Sequence, residues 1–191
     1  MSEEIQKSAN PAALGLGGFA LSTFFLNLAN AGIIGSGSMG IVMPFALFYG
    51  GLAQFAAGMW DLYRGGIFGG TCFSSFGAFW IGLASFELLS WSGVVPADPA
   101  VPTAALTAML ICWGIFTFYA TIASLKEPTS ITWVFITLTI LFFLLAWGEY
   151  NPTVRKIAGY EGLLCAAIAW YSSAAILINT MHEKTILPMG E

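Results

Sequence analysis

Charge is what this chain has least of. Of its 191 residues, Lys and Arg together number 6, Asp and Glu 10, and charged residues make up 8%. Soluble domains carry about 25% charged residues, so a water-facing globular surface of the ordinary kind is excluded. So few basic groups, with a formal net charge of −4, leave no electrostatic footprint for nucleic acid. The single histidine, His182, has no second ligand type near it in sequence, so no metal site or metal cofactor is expected. Cys72, Cys112 and Cys165 are odd in number, far apart and free of any C-x-x-C pair, which argues against a disulfide framework or thiol redox chemistry. All three are expected to pack in the core. The opening MSEEIQKSA lacks a basic n-region, so no cleaved signal peptide is expected.

What the chain has instead is apolar length: 58% of it is hydrophobic. Six runs, at roughly 13–34, 39–60, 67–91, 103–125, 130–147 and 158–179, each suit a helix crossing ~30 Å of hydrocarbon. The predicted fold class is all-α integral membrane, one six-helix domain over 1–191 with short tails at 1–12 and 180–191. Asp61, Pro128 and Pro152 read as helix stops. An even number of spans places both termini on one side with Lys7, Arg64, Lys126 and Lys184, against Arg155 and Lys156 opposite. The positive-inside rule then makes the termini cytoplasmic.

The first run opens oddly. Asn10-Pro11-Ala12 precedes Gly15, Gly17 and Gly18. Pro11 suits a first helical turn, Asn10 can cap it, and the glycines admit either another backbone or a solute. Helical spacing then aligns Phe19, Thr23, Asn27 and Asn30 on one face, too polar for lipid. Gly50, Gln54, Gly58 and Asp61 align on the second helix. Thr71, Ser75, Ala78, Gly82 and Ser85 align on the third, and Thr103, Thr107, Gly114, Thr117, Thr121 and Ser124 on the fourth. Small and hydroxyl residues also serve helix packing, so the last two stripes stay open between packing and a path. Glu87, four residues before Trp91, is expected at the membrane edge. Glu161 is expected in the first turn of the sixth helix, where the dipole favours an anion and Arg155 or Lys156 can pair with it. Its role stands between a structural one and the mouth of a path. A second Asn-Pro, Asn151-Pro152-Thr153, is read as a loop; it lacks the placement of an aquaporin half-helix.

Several runs in order carry a resemblance: Asn10-Pro11-Ala12-Ala13-Leu14-Gly15-Leu16, Phe48-Tyr49-Gly50-Gly51-Leu52-Ala53-Gln54, Phe76-Gly77-Ala78-Phe79-Trp80, Trp113-Gly114-Ile115-Phe116-Thr117 and Thr185-Ile186-Leu187-Pro188. Along essentially its whole length the chain resembles the acetate uptake transporter family of the GPR1/FUN34/YaaH type, which includes bacterial succinate–acetate permeases. The resemblance implies six helices per subunit, a homohexamer with one solute path in each protomer, and passage of acetate, other small monocarboxylates and, in some members, succinate. It implies no cofactor. The family's hydrophobic constriction of Phe, Tyr and Leu falls on Phe19, Phe76 and Leu138, with Phe76 lacking the tyrosine hydroxyl. Ala13 stands where the family has proline.

No Lys or Arg lies inside the predicted spans, so a carboxylate must be held by helix N-termini, amides and hydroxyls. The candidate substrate path is Asn10, Thr23, Asn27, Asn30, Gln54, Thr71, Ser75 and Glu161. A dry aromatic constriction favours the protonated acid, or anion with proton. An alternative is a urea or amide channel of similar six-helix, hexameric architecture. A membrane enzyme would need an intramembrane base or metal cluster, for which no histidine is available within the spans. A non-transporting assembly subunit is the remaining reading.

Overall fold

Hydrocarbon offers no partner to a backbone amide, so a chain of apolar runs must satisfy its N–H and C=O groups within helices. The computed structural model describes residues 8–94 and 100–190, and in it the chain does so. The helices are α1 (Ala12–Asn30), α2 (Met39–Tyr63), α3 (Ile67–Trp91), α4 (Ala100–Ser124), α5 (Thr129–Gly148) and α6 (Pro152–His182). All six are long and apolar enough to span a membrane. Lys7 and residues 95–99, between the third and fourth predicted runs, lie outside the described residues.

Several boundaries depart from expectation, at α1 and α6 most of all. α1 stops at Asn30 because Gly32 takes a left-handed φ of +75° and its N–H turns back to Ala29 O, a glycine exit that ends the helix early. α6 begins at Pro152, six residues before the predicted start. Asn151 Oδ1 accepts from Thr153 N at 3.0 Å and Val154 N at 3.3 Å. Asn-Pro is here a helix start, with the amide as cap and the proline needing no donor. The last turn of α6 reaches past the predicted tail boundary, so His182 ends the helix, exposed, instead of lying in the tail.

α2 is not uniform. Pro44 sits within its first α-helical segment, Met39–Phe45, and the next eight residues, Ala46–Ala53, wind as a π-helix before α-geometry resumes at Gln54. Proline withholds an N–H from the ladder, and each π turn carries an extra residue, shifting the register of the rest of the helix. Gly50, Gly51 and Gln54 are buried there.

α1 is the axis of the packing, lying against α6 on one side and α2 on the other; α6 continues onto α5, α5 onto α4, and α2 onto α3. These seams are made by glycine. A Cβ on Gly18 would stand 2.5 Å from Tyr49 O, and one on Gly159 would overlap Ala31 N. Of the opening motif's glycines, Gly18 thus serves backbone approach, while Gly15 makes room for the Phe73 ring and Gly17 for the Tyr49 hydroxyl. The α4 stripe is also packing: Thr121 Oγ1 lies 2.9 Å from Thr139 Oγ1, and Gly114 seats the Phe143 ring. Aromatic side chains fill the middle, with Phe76 at the hub. Its ring centre lies 5.3 Å from Phe116, 5.6 Å from Trp113, 6.1 Å from Phe19 and 6.2 Å from Phe135. Cys72 and Cys165 are buried as expected, but Cys112 is exposed, because α4 packs mainly on α5 and turns that position outward.

The seams are testable. Gly159→Val is expected to lower thermal stability in detergent by roughly 1–3 kcal/mol through overpacking. Gly82→Ala, whose new methyl meets nothing within 4 Å, should be neutral or stabilising by about 0.5–1 kcal/mol through helix propensity. Equal melting shifts for the two would contradict the packing described.

Candidate functional site

Three cavities succeed one another through the bundle. The widest, about 720 Å³, opens at the end of the molecule where α1 begins, lined by Asn10, Asp61, Arg64, Cys72, Phe73, Glu127, Phe135 and Met189 among others. It shares Leu16, Cys72, Phe73 and Phe135 with a cavity of about 20 Å³ that Gln54 also lines. That cavity shares Phe19, Phe76 and Leu138 with another of about 20 Å³, lined further by Thr23, Asn27, Trp80 and Phe142. Each inner cavity has room for about one water molecule.

The wide vestibule is polar at its rim, and the chain's C-terminal segment forms part of its wall. Asn179 Oδ1 accepts from Ile186 N and Leu187 N, while its Nδ2 donates to Leu187 O. The carbonyls of Met189 and Gly190 then accept from Ser130 N at 2.8 Å and Thr129 N at 3.0 Å. The segment thereby satisfies donors at the start of α5 that a helix N-terminus leaves free. Nearby, Asn10 Oδ1 accepts from Ala12 N at 2.9 Å, Ser173 Oγ donates to Ala13 O at 2.6 Å, and Trp60 Nε1 donates to Ala9 O. Arg64 lies 3.7 Å from Asp61, and a Cβ on Gly69 would touch that carboxylate.

Polar groups change character inside. Asn27 is buried and engaged, donating from Nδ2 to Thr23 O at 2.8 Å and accepting from Asn30 Nδ2 at 3.1 Å. By contrast Gln54 Oε1, Thr23 Oγ1 and Trp80 Nε1 are buried with no hydrogen-bond partner. Such an atom costs about 1–3 kcal/mol, and three of them border the two inner cavities: Gln54 on the vestibule side of Phe19, Phe76 and Leu138, and Thr23 and Trp80 beyond.

The structure therefore brings Asn10, Gln54, Thr23 and Asn27 to the cavity walls together with Phe19, Phe76 and Leu138. Asn30 stands behind Asn27 as its donor. Thr71 is exposed and Ser75 half-buried, and neither lines any of these three cavities. α3 instead turns Cys72, Phe76, Phe79 and Trp80 inward. Glu161 also differs from expectation. With α6 starting at Pro152 it lies in the third turn, away from the dipole end, and Arg155 pairs with Glu149. Both its carboxylate oxygens are buried without a partner, outside the cavity walls. Trp80 does not stand out in the sequence because tryptophan reads as packing; its buried indole N–H is the only sign of more. Arg64 is a cation that sequence reading leaves in a loop, and the fold turns it into the vestibule.

Helices long and apolar enough to span, joined around an interrupted line of cavities, define a multi-pass membrane protein. The chain belongs to the GPR1/FUN34/yaaH family, whose model matches residues 2–190. It is 39% identical over 187 residues to the succinate-acetate/proton symporter SatP of Escherichia coli K12, covering 97% of each chain. It is 35% identical to acetate permease A of Emericella nidulans, across 99% of this chain and 68% of that one. The solved structure of the bacterial acetate channel SatP superposes with a TM-score of 0.90 at 38% identity, covering 96% of this chain and 100% of that one.

Unpaired and engaged amides should respond oppositely to substitution. Gln54→Met removes an oxygen that has no partner, so the protein should melt at the same or a higher temperature. Asn27→Leu breaks two hydrogen bonds and should cost roughly 1–3 kcal/mol. A loss of stability at Gln54 matching that at Asn27 would show that the Gln54 oxygen is bonded.

Proposed function

We propose that the chain passes acetate and similar small carboxylates, succinate among them, through the plasma membrane, with passage favoured by protonation. One observation carries the reading: a dry junction of Phe19, Phe76 and Leu138 between two small cavities, each bordered by buried polar atoms lacking partners. A carboxyl group supplies what those atoms lack, an acceptor for Trp80 Nε1 and, when protonated, a donor for Gln54 Oε1. The relatives named for acetate and succinate support the same substrate class. Neutralising a carboxylate of pKa about 4.3 takes about 3.7 kcal/mol at pH 7 and about 1.6 kcal/mol at pH 5.5. Both are less than the cost of taking the anion across an apolar ring.

The same reading makes the chain a transporter and not an enzyme, a homohexamer with one path per protomer, and cytoplasmic at both termini. Exposed apolar side chains such as Ile67, Leu125, Trp147 and Leu164 are available for lipid and for neighbouring copies. Arg64, Lys126 and Lys184 lie at the vestibule end, against Arg155 and Lys156 opposite, which supports a cytoplasmic vestibule.

Labelled acetate uptake into proteoliposomes, with empty-vesicle leakage subtracted, tests the function against the urea alternative. Acetate flux should exceed urea flux, rise with an inward acid gradient and ignore sodium. Saturable urea flux without acetate flux would overturn the assignment.

Size selection at the junction gives a second test. Leu138→Ala removes three carbons without adding a hydrogen bond, so lactate or butyrate flux should rise relative to acetate. A methylene discriminates by ~1–3 kcal/mol in an apolar pocket, a change in ratio of about tenfold or more. If Leu138 only packs, its truncation should cost ~2–5 kcal/mol of stability and leave the flux ratio unchanged. A melting curve measured beside the ratio separates the two.

A further inference from the structure

Glu161 is a half-buried residue whose shielded carboxyl group lies outside the walls of the three cavities. Its two oxygens are shielded and have no hydrogen-bond partner, in the third turn of a membrane-spanning helix. The helices packed on α6 are α1 and α5, and neither carries a titratable side chain, from Ala12 to Asn30 or from Thr129 to Gly148. On α6 itself the nearby groups are Cys165, one turn on, whose thiol points to Val134 O at 3.6 Å, and Arg155, which is paired with Glu149. Lys156 and Tyr160 are exposed. No cation among the described residues balances the carboxylate, and an intramembrane acid in such surroundings marks a working site more often than a structural one.

The neighbour of Glu161 connects it to the cavities. Gly162 is the seat of Asn27: a Cβ there would overlap the Asn27 amide. Asn27 in turn lines the inner cavity beyond Phe19, Phe76 and Leu138. The two protonation states of Glu161 ask for different surroundings. A carboxylic acid has one proton to donate, whereas a carboxylate accepts at two oxygens and needs donors or water. On the same turn of α6, Gly159 and Gly162 hold the helix against Ala31 and Asn27 of α1 with no room to spare, so a shift of this turn that hydrates or dries Glu161 is felt at that seam. Binding or releasing one proton at Glu161 therefore biases how closely α6 holds Asn27 against the path.

Building on the carboxylate reading above, we propose that Glu161 is a proton-binding site linked to solute passage, acting through the Gly162–Asn27 contact as a positioning residue. The proton comes from water and returns to water, and the solute is unchanged. The test uses the full chain in proteoliposomes, with flux measured at a fixed concentration of undissociated acetic acid, so that substrate protonation is held constant. The wild type should change rate by roughly tenfold or more between about pH 5.5 and about pH 7.5, as a titrating group allows. Glu161→Gln should flatten this to less than about twofold, and Glu161→Asp should restore it. Infrared spectra of the same samples should show a protonated-carboxyl band that titrates in the wild type, shifts in Glu161→Asp and is missing in Glu161→Gln. A Glu161→Gln profile matching the wild type, with acetate flux intact, overturns this inference and leaves the transport reading standing. Absence of acetate flux in the wild type overturns the transport reading and the link with it. Should Glu161→Gln fail to fold, the wild-type and Glu161→Asp bands decide, and no titrating band means no proton site.

Discussion

The close approach of backbones on both sides of α1 governs how the other helices and the path are arranged. In a bilayer, helices gain nothing from leaving water, so association rests on fit and on hydrogen bonds. Gly18 lets α1 meet the Tyr49 carbonyl of α2, and Gly159 lets α6 meet Ala31. Pinned between two neighbours, α1 can turn only its remaining face to the middle. That face carries Phe19, Thr23 and Asn27, all of them buried. The glycine seams and the lining of the inner cavities are thus two results of one sequence pattern. The seams fix the rotation of α1, and the rotation fixes which of its side chains line the inner cavities.

The π-helical stretch of α2 has a similar consequence. Gly50 and Gly51 sit in it, against Ser22 of α1 and Ile81 of α3, and Gln54 comes directly after, at the return to α-geometry. Without the extra residues of the wide turns, the second half of α2 would be rotated relative to the first. A glutamine that is buried, unbonded and beside a small cavity would be expensive as packing. Under the proposed function it is a group kept free for a passing carboxyl. Thr23 and Trp80 make the same case from the other side of the aromatic hub.

Apolar length made the six spans legible, since nothing else satisfies backbone groups in hydrocarbon. Helical spacing puts Thr23 and Asn27 on one face, and both line one inner cavity. The resemblance points to Phe19, Phe76 and Leu138, which lie together between the two inner cavities, while their role as a constriction belongs to the proposed function. Thr71 and Ser75 misled because small polar residues suit a path and a packing face equally. Spacing shows that they share a side of α3, but not which way it turns, and the aromatic hub takes the other side. Glu161 was misplaced because Asn151-Pro152 serves equally as a stop or a start. Only the capping bonds to Thr153 and Val154 decide it. The π-helix and the C-terminal wall of the vestibule depend on contacts between distant segments and leave no local period.

Two departures from the family pattern acquire a physical meaning in this setting. Ala13, where proline is the family residue, has lost a fixed φ. Yet its carbonyl accepts the Ser173 hydroxyl of α6, while Asn10 holds the Ala12 amide. The first turn is therefore pinned by bonds where a ring would otherwise have stiffened it. Phe76, in place of tyrosine, has an edge-on contact with Phe116 and near-parallel packing on Phe142, with no hydroxyl to offer a solute. A ring without hydrogen-bonding groups discriminates only by size and by the cost of shedding water. Under the proposed function, recognition of the carboxyl group then falls to the polar atoms on either side of it, and the hub is left to exclude what is too large or too strongly hydrated to pass.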